Sequence, residues 1–231
     1  MRTMPIASVL LAASLAACSE KAQAPSSVAP THAPSLANTT GIPLYAGSRV
    51  VDTRDFTQVV NRTNAAAASN GDVLMTANGT YKGTELVAAS GASFSELQGW
   101  VDQVGAKPPA GYARVQSSDL QDASDDASRY GIAFTVLKKE ENGKPTGIIV
   151  MVMDPTRVTR RLGPALSLIS KYQSMPSALR SVIDEKVKQQ TGFTVTEATQ
   201  PDSPLGVALG ALDEFSHSDQ RAIVVVNARK E

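Results

Sequence analysis

The chain has 231 residues, with 22 basic and 22 acidic side chains and therefore no formal net charge. That balance argues against nucleic-acid binding, which asks for a basic surplus, and a single cysteine excludes an internal disulfide framework. Aromatic residues make up only 5% of the chain, so Val, Ile, Leu, Ala and Met must fill most of its core, and the length suffices to bury one without staples.

Residues 1–17 have the layout of a secretory signal: Arg2 supplies the positive start, Ile6 to Ala13 a short apolar run, and small residues follow up to Cys18. The apolar run is too short to span a bilayer, which takes about 20 residues. Leu15-Ala16-Ala17-Cys18 resembles the lipobox of bacterial lipoproteins. The resemblance implies recognition of Leu15, Ala16 and Ala17 by a signal peptidase, cleavage before Cys18, and acylation of its thiol and new amine. Ser19 follows the cysteine where Asp would imply retention in the inner membrane, so the resemblance implies outer-membrane delivery on the periplasmic face. Two or more acyl chains give stable attachment where one is marginal. Basic residues do not cluster near this anchor, so the membrane contact implied is membrane lipid through acylated Cys18 and not electrostatic adsorption.

Residues 18–40 read as the acylated cysteine and a disordered tether. Pro25, Pro30 and Pro34 lie among Ala, Ser and Thr without hydrophobic periodicity, and His32 sits here in solvent. The body starts near Gly41, with a turn through Gly47 leading into a strand at Arg49-Val50-Val51. This opening resembles that of small bacterial lipoproteins and periplasmic proteins whose first strand follows a Tyr-Pro-Gly-Ala turn; Ala46 stands where that proline would be. Residues 61–70 form a loop or short helix. A first hairpin is expected from residues 73–77 and 80–89 around Asn78-Gly79, a pair suited to a type I′ turn. Ser93 then caps a helix through Val104, with Glu96 completing a capping box. Phe94, Leu97, Trp100, Val101 and Val104 share one face of it, and Gly105 is expected as its C-terminal cap.

A short strand at residues 112–116 is expected to lead into an acidic loop. A second hairpin, residues 131–139 and 146–153, flanks Asn142-Gly143. Its return strand is apolar on both faces, which marks it as central and covered. Asp154-Pro155 starts a helix that Gly163-Pro164 is expected to interrupt. Ser174 and Pro176 start another, with Leu179, Val182, Ile183 and Val187 inward and Gly192 as its stop. Residues 193–198 are a candidate strand, Ser203-Pro204 opens a helix through Phe215, and residues 221–228 form a final strand that joins the sheet.

The constellations that could carry chemistry are sparse. Asp119, Asp122, Asp125 and Asp126 lack the alternate spacing and central glycine of a calcium loop and read as a solvated loop. His217 has Asp213, Glu214, Ser216, Ser218 and Asp219 beside it in sequence, but no nucleophile elbow accompanies it, so it reads as a surface histidine. One histidine in the body and no free thiol leave too few ligands for zinc. Trp100 reads as core, and Lys138-Lys139-Glu140-Glu141 as the solvated end of a hairpin.

The expected fold is α+β, a mainly antiparallel sheet from two Asn-Gly hairpins packed by one central and several C-terminal helices. Residues 41–154 form its β-rich part and residues 155–231 a helix-rich part of the same domain or of a second one. The expected function is that of a non-enzymatic, lipid-anchored envelope protein, without metal or cofactor, that binds or positions an envelope protein partner. The alternative is a periplasmic inhibitor or immunity protein directed at a toxin or cell-wall hydrolase.

Overall fold

The computed structural model describes residues 42–61, 79–191, 194–200, 215 and 218–231. Cys18, the residues before it, the tether, residues 73–77 with Asn78, and His217 lie outside them. In chain order the elements are β1 (Arg49–Asp55), β2 (Tyr81–Ser90), α1 (Phe94–Ala106), β3 (Ala113–Arg114), α2 (Ser118–Arg129), β4 (Ile132–Glu141), β5 (Lys144–Met153), α3 (Pro155–Tyr172), α4 (Ser177–Thr191), α5 (Val195–Ala198) and β6 (Arg221–Lys230). The strands form one six-stranded sheet in the order β1-β2-β6-β5-β4-β3, antiparallel at every pairing, so the α+β expectation holds.

The last strand is the one the others are built around. β6 sits between β2 and β5 and pairs with β2 along its length, from Tyr81↔Lys230 to Ser90↔Arg221. Residues 222–226 are all buried, as a continuous apolar run covered on both faces should be. A segment from the helix-rich part thus fills the middle of the sheet. The β4–β5 hairpin closes at Asn142 and Gly143 with φ of 54° and 72°, the left-handed pair of a type I′ turn. β2 has β1 on one edge and β6 on the other, so these two strands are its described partners.

One face of the sheet packs α1. Phe94, Leu97, Val101 and Val104 descend onto Leu86, Leu137, Ile148, Val150 and Val225, each buried side chain contributing roughly 1.5–3 kcal/mol. The capping box forms as expected: the Glu96 N–H donates to Ser93 Oγ (3.3 Å) and the Ser93 N–H to the Glu96 carboxylate (2.8 Å). Trp100 is half-buried at the rim of this core, edge-on to Tyr45 with ring centroids 6.4 Å apart. Gly105 does not end the helix, which runs on through Ala106. A Cβ there would lie 2.8 Å from Thr135 Oγ1, so glycine serves the close approach of α1 to β4. The other face packs α2, the start of α3 and residues 56–60 against Val87, Phe134, Met151 and Val224.

Four local expectations are corrected. The acidic stretch is a helix, α2, because the Leu120 N–H donates to the Ser117 hydroxyl (3.1 Å) and Leu120, Ala123 and Ala127 recur at helical spacing toward the sheet. α3 runs through Gly163-Pro164. Its Asp154 cap and the buried Val158 and Tyr172 hold it at both ends against the loss of one amide donor. The candidate strand at 193–198 is α5, opened by a Thr194/Glu197 capping box. Leu179 and Val182 face outward, 49% and 55% exposed. It is Asp184 that faces in, accepting from the Tyr172 hydroxyl (2.5 Å) and the Val195 N–H (2.9 Å), and this rotates the apolar pair of α4 into solvent.

Candidate functional site

β3 is two residues long and covers only Leu137 and Lys138 of β4. Its ladder ends with the Val115 N–H donating to the Val136 carbonyl (2.8 Å), after which the chain turns away into α2. A cleft of about 520 Å³ opens where the ladder stops. Its floor is Leu120, Phe134 and Val136. Ser117, Gln121 and Ser124, at i, i+4 and i+7 along α2, form one wall, and Arg114 to Gln116 close one end. The lining therefore offers hydroxyls and amides above an apolar floor, a donor set for hydrogen-bonded recognition. Asp125 stands at the rim, accepting from Gln121 Nε2 (3.1 Å), while Asp126 pairs with Arg129 (3.3 Å). Asp122 is exposed on the same helix.

The acidic residues singled out by sequence thus share a helix with the cleft wall. Among the described residues no group of three or more His, Cys, Asp or Glu side chains is placed to hold a metal ion. Lys139 lies 5.6 Å from the Tyr112 ring centroid, a cation over an aromatic face, and the rest of the 138–141 run ends the hairpin.

A second polar feature lies inside the sheet. Glu85, in the middle of β2, is fully buried. Its Oε2 meets Arg54 Nε at 2.5 Å across the β1–β2 pair Arg54↔Glu85, while Glu85 Oε1 and one Arg54 terminal nitrogen are buried without a partner. Burial pushes the Glu85 carboxyl up to about 8, outweighing the Arg54 charge beside it, and Asp52 raises it further. Residues 56–61 close over this end of β2. The Phe56 N–H donates to the Gly83 carbonyl (2.9 Å), and the Asn61 side chain both donates to and accepts from the Tyr81 backbone at 2.8 Å. A Cβ on Gly83 would meet the Phe56 carbonyl oxygen at 2.9 Å, so glycine is required for that approach.

Glu85 belongs to no motif and was not among the candidate site residues. The signal was there: it shares a strand face with Tyr81, Val87 and Ala89 and leads straight into an apolar run. Three strand steps separate β2 from β4, roughly 14 Å at ordinary strand spacing, so Glu85 does not reach into the cleft. The chain matches no protein-family model, no curated protein and no solved structure.

Proposed function

We propose that this chain is a non-enzymatic lipoprotein of the bacterial envelope, anchored through acylated Cys18, whose folded body binds or positions another envelope component. The observation that carries this reading is the sequence Leu15-Ala16-Ala17-Cys18, which sets the chain's single cysteine at the end of a short apolar run behind Arg2. Ser19 favours outer-membrane delivery. Residues 18–40 then act as a leash, long and proline-spaced enough to hold the body off the lipid. The cleft beside β4 supports a binding role, because hydroxyls and amides over an apolar floor suit recognition by shape and hydrogen bonds.

The test compares the full-length protein with Cys18→Ala in its own host, grown with an alkyne-tagged fatty acid and followed by envelope fractionation and affinity capture. The expected result is labelling and outer-membrane fractionation of the parent, both lost in the variant, with a protein partner captured by the parent alone. A parent that carries no label and fractionates as the variant does would overturn the reading. Capture of a toxin or cell-wall hydrolase would replace the positioning role with an inhibitory one.

A further inference from the structure

We propose that the groove between α2 and the stretch of β4 edge that no described strand covers is a docking site for an extended, cationic segment of a partner protein, which joins the sheet as a short strand beside Phe134. The proposal rests on the anchored-binding reading and names the surface and the kind of partner it fits.

Strand geometry supplies the first argument. Backbone groups of alternate residues in a strand point to opposite edges. In β4 the odd-numbered residues face β5, as the two-residue turn at Asn142-Gly143 dictates and as the Gly131 carbonyl, accepting from the Asp154 N–H (2.8 Å), confirms at the far end. The even-numbered ones face the other way, and the Val136 carbonyl accordingly accepts from Val115. Phe134 comes next on that edge, and no described strand lies beside it. Phe134 lines the cleft, and by this alternation its N–H and C=O point to that edge. An added strand sits about 4.8 Å from its neighbour, and its ladder hydrogen bonds would supply affinity while the groove reads side chains.

The chemistry of the walls selects the occupant. Ser117, Gln121 and Ser124 are neutral, so charge selection falls to the rim, where Asp125 is held by Gln121. Arg129, the cation nearest along α2, is already paired with Asp126. Arg114 is turned toward α1, its Nε within 3.3 Å of where a Gly105 Cβ would lie. A Lys or Arg on the docked strand can therefore lay its aliphatic stem over Leu120 and present its charge to Asp125.

The test places a photocrosslinking amino acid at Gln121 of the full-length acylated protein in its own envelope, with the same amino acid at Leu179 as the control site. The expected result is an adduct at Gln121, absent at Leu179, whose mapped partner segment is extended and carries Lys or Arg. A synthetic peptide of that segment is then titrated against the parent, Ser124→Trp and Asp125→Lys. The affinity should fall about tenfold or more in both variants, with their melting temperatures unchanged and the Phe134 amide of the parent exchanging more slowly when the peptide is bound. An adduct to residues of this same chain, or an affinity indifferent to Asp125→Lys, would overturn the proposal. If no adduct forms at Gln121 while the anchored protein still captures a partner, the groove assignment falls and the anchored-binding reading stands. If neither an adduct nor a captured partner is found, both fall.

Discussion

Replacing Glu85 by Gln should remove most of the fall in stability that this protein suffers as the pH rises from 5.5 to 7.5. Burial lifts the folded-state value from 4.5 to about 8. Between those limits the folded chain keeps a proton that the unfolded chain has released, so stability declines with rising pH. Below the unfolded value both states are protonated and the effect vanishes; above the folded value the whole cost is present. The slope approaches 1.36 kcal/mol per pH unit, which gives about 3 kcal/mol between pH 5.5 and 7.5 and about 5 kcal/mol across the full window. In a chain of this size about 3 kcal/mol corresponds to roughly 6–12 °C in Tm. Gln keeps the shape and an oxygen for Arg54 but cannot ionise. Thermal unfolding of the full-length parent and E85Q, followed by circular dichroism at pH 5.5, 6.5 and 7.5, reads the difference between two differences, so other titrating groups cancel. The variant should already exceed the parent by about 1 kcal/mol at pH 5.5 and by progressively more above. Parallel curves would refute the reasoning, because they would mean that Arg54 keeps Glu85 ionised throughout and that burial is not the dominant influence.

Two further outcomes follow from packing. Gly105→Ala gains up to about 1 kcal/mol in helix propensity, yet its Cβ would press Thr135 Oγ1 at 2.8 Å; denaturant unfolding should show a net loss of about 1–2 kcal/mol that disappears in a Thr135→Ala background. Leu179→Ser combined with Val182→Ser should cost less than about 0.5 kcal/mol, whereas Leu97→Ala, at a position with no exposed surface, should cost about 2–5 kcal/mol. Equal losses in those two experiments would mean that α4 buries the face described here as exposed.

Elements were legible where local chemistry and burial agree. Ser93 and Glu96 sit before an apolar stripe, Asn142-Gly143 between two apolar runs, and Asp154-Pro155 ahead of a helix; each signal is complete within a few residues, and each forms as expected. The misreadings arose where two local signals competed. In α2 the density of aspartates suggested a loop, but the Ser117 cap and three inward apolar residues decide for helix. Residues 193–198 were expected as a strand, but Thr194 and Glu197 satisfy the free amides of a helix start. In α4 the apolar residues were assigned to the core by type. Their outward position depends on Asp184 finding two partners in other elements, Tyr172 and Val195, and no window of local sequence contains that information.

The cleft was illegible for a different reason. None of its lining residues is unusual in sequence, and what makes a groove of them is the point at which β3 leaves the ladder. Were β3 to continue for three more residues, through Ser117, Phe134 would be paired and the edge closed. Instead Ser117 caps α2 three residues after Arg114, and the cap directs the chain across the face of the sheet rather than along its edge. The residue that starts the helix is therefore also the one that ends the β3 ladder, so the edge that no described strand covers and the α2 wall beside it share one local cause. Lengthening the Arg114–Ser117 connection should close the groove by allowing β3 to extend, without disturbing the core ladders among β2, β6 and β5.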